Sequence, residues 1–224
     1  MKKFIITALA AVLAFDSCML LDDPVYTLTN AAAYLNYKDN TLFTDGGTTF
    51  NVTADNTDGK WKTDGSRFYA IFDVLNVDYD ITLKTYVKAS IVTPVKDAEP
   101  QNAPGDPVSV MDCNISGGYL NLLLDIYVKK GSDTAHDMNL YWSDDSRTMT
   151  FILVHEGNGE SILDLPESDM EVATRCFSFP IYNLADEGES RMIELTINAL
   201  VKNDDGTYTG EPFTYSVFSN AVTF

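Results

Sequence analysis

From residue 30 onward the chain runs in short stretches of alternating apolar and polar residues, broken by Gly, Asn, Asp and Pro. A period of two between turn residues is the pattern of half-buried β-strands. "NAAAYLNYK" (30–38) ends at the turn residues Asp39-Asn40, and "TLFT" and "TTFNVT" flank "DGG" at 45–47, a hairpin in which glycine supplies a positive φ. In "SRFYAIFDVLNV" (66–77), Phe68, Ala70, Phe72 and Val74 alternate with Tyr69, Ile71, Asp73 and Leu75. In "YDITLKTYVKASIV" (79–92), Ile81, Leu83 and Thr85 alternate with Thr82, Lys84 and Tyr86. The spacing predicts about four or five strands over 28–97, enough for a small β-barrel.

The pattern then breaks. "KDAEPQNAPGDP" (96–107) holds three prolines and no hydrophobic cluster, and it reads as a linker over 98–105 with the boundary near Pro104. Beyond it, "DPVSVMDCNI" (106–115), "GGYLNLLLDIYV" (117–128), "DMNLYWSDD" (137–145), "RTMTFILVHE" (147–156), "ATRCFSFPIYNL" (173–184), "SRMIELTINALV" (190–201) and "FTYSVFS" (213–219) read as strands. About seven strands with regular turns predict an immunoglobulin-like β-sandwich over 106–224. The one helical turn expected is "PESDMEVA" (166–173), with Pro166 early and acidic residues behind it.

The first 27 residues follow a different rule. Lys2 and Lys3 precede an apolar run of 12 residues from Phe4 to Phe15. That run is too short for a bilayer core of about 30 Å, which takes about 20 apolar residues, and it fits the apolar region of a secretory signal. "DSC" behind it resembles the lipobox of bacterial lipoproteins, although Phe15 and Asp16 depart from the commoner residues there. The resemblance implies a signal peptide over 1–17, acylation of the Cys18 thiol by palmitate-type chains, and a lipid-anchored tether over 18–27. Each buried methylene contributes about 0.8 kcal/mol, so two or three chains hold a protein at a membrane. Asp22 and Asp23 resemble the acidic signal that directs some lipoproteins to the outside of the cell; two aspartates in a solvated linker are the alternative.

Charge narrows the partners. The chain has 33 acidic and 15 basic residues. Removing Lys2, Lys3 and Asp16 with the signal leaves a mature charge of −19. Nucleic acid and anionic headgroups, which need basic patches, are poor partners. Apart from Cys18, the cysteines are Cys113 and Cys176, for which a disulfide and two separate buried thiols both stay open. His136 and His155 are the only histidines, stand in no metal-ligand spacing and read as surface or loop residues. "NDDGTY" and "DNTDGK" lack the ligand order of a calcium loop and read as turns. No nucleophile elbow, zinc-protease motif or phosphate loop occurs. Trp61, Trp142 and Tyr141 have the chemistry to stack on sugar rings, while the spacing of Leu140 and Trp142 favours a sandwich-core tryptophan.

Together, "LFTDGGTTFNVT", "GSRFYAIFDVLN" and "YDITLKTYVKASIVTPV" resemble the N-terminal barrel of the NigD-like lipoproteins. "DPVSVMDCNISGGYLNLLLDIYV", with Asp106-Pro107, Gly117-Gly118 and Tyr119-Leu120-Asn121, resembles the opening of that family's C-terminal domain. The resemblance implies an OB-like Greek-key barrel followed by a β-sandwich, in outer-membrane lipoproteins of Bacteroides-type bacteria, and it implies no catalytic residue. The polar insert "ADNTDGKWKTDG" (54–65) departs from the family around its second strand. "DTA" (133–135) resembles the O-glycan attachment site of such bacteria, which makes Thr134 a candidate acceptor.

The expectation is therefore a lipid-anchored accessory or binding protein of the outer envelope, on its cell-surface or periplasmic face. It needs no cofactor or metal, performs no catalysis, and contacts a glycan or a protein. An immunity-like or assembly-partner lipoprotein is the first alternative, and a carboxylate-dependent hydrolase is the second.

Overall fold

The computed structural model describes residues 27–96, 105–144, 147–186, 188, 190–202, 205–209, 213–215 and 222–223. The signal peptide, Cys18, Asp22, Asp23 and linker positions 98–104 lie outside the described residues. Contacts group the chain into two units, Met1–Lys88 and Ala89–Phe224.

In the first unit the predicted strands are β1 (Leu28–Lys38), β2 (Thr41–Thr44), β3 (Thr49–Asp55), β4 (Ser66–Val74) and β5 (Asp80–Ile91), whose last three residues belong to the second unit. β1 pairs antiparallel with β2 and β4, β2 with β3, and β4 with β5. A parallel pairing of β3 with β5 closes the ring in the order β1-β2-β3-β5-β4, the connectivity of an OB-like barrel. Asp39 and Asn40, both at positive φ (50° and 61°), make the tight β1–β2 turn that their side chains tolerate. Alternation sends Leu35, Phe68, Ala70, Phe72, Ile81 and Leu83 into the barrel core.

The second unit adds β6 (Val95–Lys96), β7 (Val108–Ser116), β8 (Tyr119–Lys129), β9 (Asp137–Asp144), β10 (Thr148–Glu156), β11 (Met170–Pro180) and β12 (Ser190–Ile197). Four short strands follow: β13 (Val201–Lys202), β14 (Tyr208–Thr209), β15 (Phe213–Tyr215) and β16 (Val222–Thr223). Ala89–Ile91, β11, β8 and β7 form one sheet; β15, β12, β10, β9 and β6 form the other. Both sheets send one face into a shared core: Leu120, Leu122, Leu124 and Ile126 of β8, Phe177 and Phe179 of β11, and Met149, Phe151 and Leu153 of β10. Ile193, Leu195 and Ile197 of β12 complete it, and Trp142 lies in it as the alternation predicted. The expected β-sandwich is present, with parallel pairings of β10 with β12 and of β6 with β9. "PESDMEVA" forms a single 3-10 turn at Glu167–Asp169 before β11 begins.

Gly105, the last residue of the expected linker, already belongs to this unit. Its N–H donates to Asn198 O (3.0 Å), its carbonyl accepts from Leu200 N (2.9 Å), and Asp106 N donates to His155 O (2.8 Å). A Cβ on Gly105 would stand 2.5 Å from the carbonyl oxygen and 2.8 Å from the nitrogen of His155, and backbone cannot swing aside as a side chain can. Gly105→Ala is therefore expected to destabilise the sandwich unit by about 1–3 kcal/mol. The urea midpoint of a variant with Trp142 as its only tryptophan measures this, and an unchanged midpoint contradicts it.

Candidate functional site

The sandwich unit brings two histidines and a glutamate together out of solvent at one place. In β10, alternation that buries Phe151 and Leu153 also turns the next odd residue, His155, inward, and only 2% of it is exposed. His136 stands two residues before the buried Met138, and its side chain is buried as well. The two rings lie nearly coplanar and edge to edge, 20° from parallel with centroids 5.1 Å apart, and His136 Nδ1 meets His155 Nε2 at 2.9 Å. His136 Nε2 faces Glu160 Oε2 at 3.4 Å, and His155 Nδ1 faces the Asp106 carbonyl oxygen at 3.3 Å. The reading as surface or loop residues is thus corrected for His155, which is buried in a strand; His136 does stand in a loop, but with its side chain buried. The inward period was visible in "MTFILVHE", but the meeting of the two rings was not.

Around the rings, side chains close three connecting segments onto each other. Glu160 accepts hydrogen bonds from the Ser132 hydroxyl and from Lys129 N (3.1 Å). Asp106 accepts from the Ser161 hydroxyl and from Gly157 N (2.8 Å), and Asn158 Nδ2 donates to Ala135 O (2.8 Å). The Ser132 hydroxyl, with help from Thr134, Lys129 N and His136, pushes the Glu160 carboxyl down to about 2. Burial, and then the charge of His136, hold His155 below its ordinary value of 6.5.

This chemistry binds loops together. A serine nucleophile needs its hydroxyl to donate to a base such as histidine, whereas Ser132 and Ser161 donate to carboxylates. A general acid needs a raised pKa. The carboxyls of Asp55, Asp58, Asp73, Asp80, Glu160 and Asp205 are held below their ordinary values. Among the described residues no group of three or more His, Cys, Asp or Glu is placed to hold a metal ion. None of their helices is long and apolar enough to cross a membrane.

The residues singled out from the sequence are dispersed. Thr134 is exposed in the loop between β8 and β9, its hydroxyl 2.9 Å from that of Ser132. Cys113 stands opposite Leu122 and Cys176 opposite Leu123, so the thiols leave opposite faces of the sheet with β8 between them. No disulfide joins them, and none can without backbone movement. Burial pushes the Cys113 thiol up to about 12, the state of an inert thiol. Trp61, from the polar insert, is 2% exposed: it plugs the barrel edge-on against Tyr37, and its indole N–H donates to Asp55 (2.9 Å). Trp142 is buried too. Both indoles are thereby withdrawn from the surface.

Sequence comparison decides the family. The model of the NigD-like C-terminal beta sandwich domain matches residues 91–210, more than half of the chain. The chain belongs to the NigD-like family. Its fold is also that of several solved structures. A NigD-like immunity protein from Bacteroides caccae is 19% identical, with a TM-score of 0.57 over 84% of this chain and 98% of that one. A candidate toxin-related protein from Parabacteroides distasonis is 17% identical, with a TM-score of 0.53 over 85% and 94%. A candidate lipoprotein from Bacteroides fragilis is 14% identical, with a TM-score of 0.51 over 87% and 99%. At these identities the likeness is one of fold. No curated protein matches the chain.

Proposed function

We propose that this NigD-like chain is a lipid-anchored, non-catalytic accessory protein of the outer envelope of a Bacteroides-type bacterium, tethered at Cys18 and engaging a protein partner. The burial of Trp61 and Trp142 carries the choice of partner, because it removes the two indoles best suited to stack on a sugar. The mature charge of −19 favours a basic protein surface through long-range steering. An immunity-like role is the narrower form of this reading, supported by the shared fold of the Bacteroides caccae immunity protein. In the same reading Asp22 and Asp23 direct export to the cell surface, and Thr134 accepts a glycan.

Palmitate labelling, membrane fractionation and protease shaving of cells expressing the native chain or Cys18→Ala test the anchor. The native chain is expected in the membrane fraction, labelled and shaved from intact cells, while Cys18→Ala loses the label and the membrane. Equal retention of both forms contradicts the anchor, and protection of the labelled native form from protease places it on the periplasmic face instead. In-cell cross-linking is expected to capture one recurrent basic protein. Saturable binding to a glycan array without such a protein reverses the choice of partner.

A further inference from the structure

We propose that His136 and His155 together hold one extra proton, and that this proton latches the 130–136 loop onto the end of the sandwich unit. Hydrogen-bond accounting along the two rings carries the inference, and it does not depend on which partner the protein engages. At one end the Asp106 carbonyl oxygen only accepts, so His155 Nδ1 must carry a hydrogen. At the other end the ionised Glu160 carboxylate only accepts, so His136 Nε2 must carry one. Between the rings, His136 Nδ1 and His155 Nε2 at 2.9 Å need one hydrogen between them. That makes three hydrogens on four ring nitrogens, and two neutral imidazoles hold only two. The closed chain is a cation: His136 doubly protonated against Glu160, and His155 neutral with its hydrogen on Nδ1.

Either change of protonation breaks it. With one hydrogen fewer, one of the three contacts sets a lone pair against a lone pair. With one more, two N–H groups confront each other between buried rings that meet edge to edge. Each leaves a buried polar group unsatisfied, which the loop relieves by opening. The charged groups facing the pair are few. Glu160 comes from the loop after β10 and Asp106 from the segment before β7. Asp137, beside His136, has its carboxylate engaged by Asn158 Nδ2 at 3.1 Å. Glu156 and Asp133 are exposed, and Lys129 reaches Glu160 through its backbone nitrogen alone.

Burial holds folded His155 below 6.5, so the open form takes up the second proton first, and falling pH favours opening. On the alkaline side the open form releases the extra proton, and rising pH favours opening again. Closure of the loop that carries Thr134 is therefore greatest in a window of intermediate pH. The chain has two histidines, so transitions between about pH 5 and 8 are assignable to this pair.

Ring-nitrogen chemical shifts of the full chain, labelled with 15N at histidine, read each ring directly, with His136→Gln providing the assignment. In the window, one ring is expected to be doubly protonated and the other neutral on Nδ1. Amide exchange of residues 132–136, corrected for its intrinsic pH dependence, is expected to be slowest there and about tenfold faster on either side, the worth of one hydrogen bond to a charged group. His136→Gln should flatten that profile. Two neutral rings where the loop is most protected, or a flat exchange profile in the native chain, overturns the latch. Should the variant fail to fold, the native ring shifts decide alone.

Discussion

Replacing Asp45 by alanine will destabilise the barrel by about 3–5 kcal/mol, because it leaves a guanidinium buried without its counter-charge. Arg67 is 3% exposed and the Asp45 side chain 9%. Two parallel bonds join them, Nη1 to Oδ1 at 2.5 Å and Nη2 to Oδ2 at 2.6 Å, the forked geometry in which an Arg–carboxylate pair is strongest. Asn36, which stands opposite Arg67 in the β1–β4 register, closes the triangle. Its amide donates to Asp45 Oδ1 (2.8 Å), and its oxygen accepts from Arg67 Nη1 (2.9 Å). The Arg67 guanidinium also lies 5.7 Å from the centre of the Tyr34 ring. The pair's net worth is another matter, because two charges have left water to form it. The double variant Asp45→Leu with Arg67→Met should therefore cost far less than Asp45→Ala alone. Each unit holds one tryptophan, Trp61 in the barrel and Trp142 in the sandwich. Urea unfolding in a Trp142→Phe background reports on the barrel. A loss below about 1 kcal/mol would make the pair no better than a solvated surface ion pair.

Phe151→Ala is expected to cost the sandwich unit a comparable amount, about 3–5 kcal/mol. Phe151 is fully buried at the middle of β10, which lies between β9 and β12 and is covered on both edges. It stands opposite Trp142 on the antiparallel side and Leu195 on the parallel side, both in the core. Alanine removes a ring from a place where neither neighbouring strand can close in without shifting its own ladder. Phe151→Leu retains most of the apolar volume and should cost less than about 1.5 kcal/mol. Circular dichroism during urea unfolding of a Trp61→Phe background, read beside Trp142 fluorescence, measures both. A cost for the alanine variant no greater than that for leucine would mean the sheets collapse around the gap. The same substitution is expected to loosen His155, four residues along the strand.

Much of the fold was legible along the chain. β2 falls on "TLFT", the Asp39-Asn40 turn takes the positive φ its residues tolerate, and the 3-10 turn sits within "PESDMEVA". The inward period of "NLYWSDD" correctly buried Trp142. The burial of the histidines does not show in metal-ligand spacing; it shows in the period of their neighbours. The same alternation that turns Met138 and Phe151 inward acts on His136 and His155. Trp61 was hidden by its surroundings: a polar insert reads as solvated loop until Asp55 is seen to accept its indole N–H.

By itself the sequence determined roughly where most strands lie, which of their apolar residues face inward, and that the chain belongs to the NigD-like family. Period, turn preference and family motifs are all written in residues close to one another along the chain. Only the tertiary structure decided the closure of β3 on β5, the parallel seat of β10 beside β12, the Arg67–Asp45 pair and the meeting of His136 with His155. Each joins residues 19 or more positions apart. Whether such groups meet depends on register and on the paths of the intervening loops, and no local pattern carries that information.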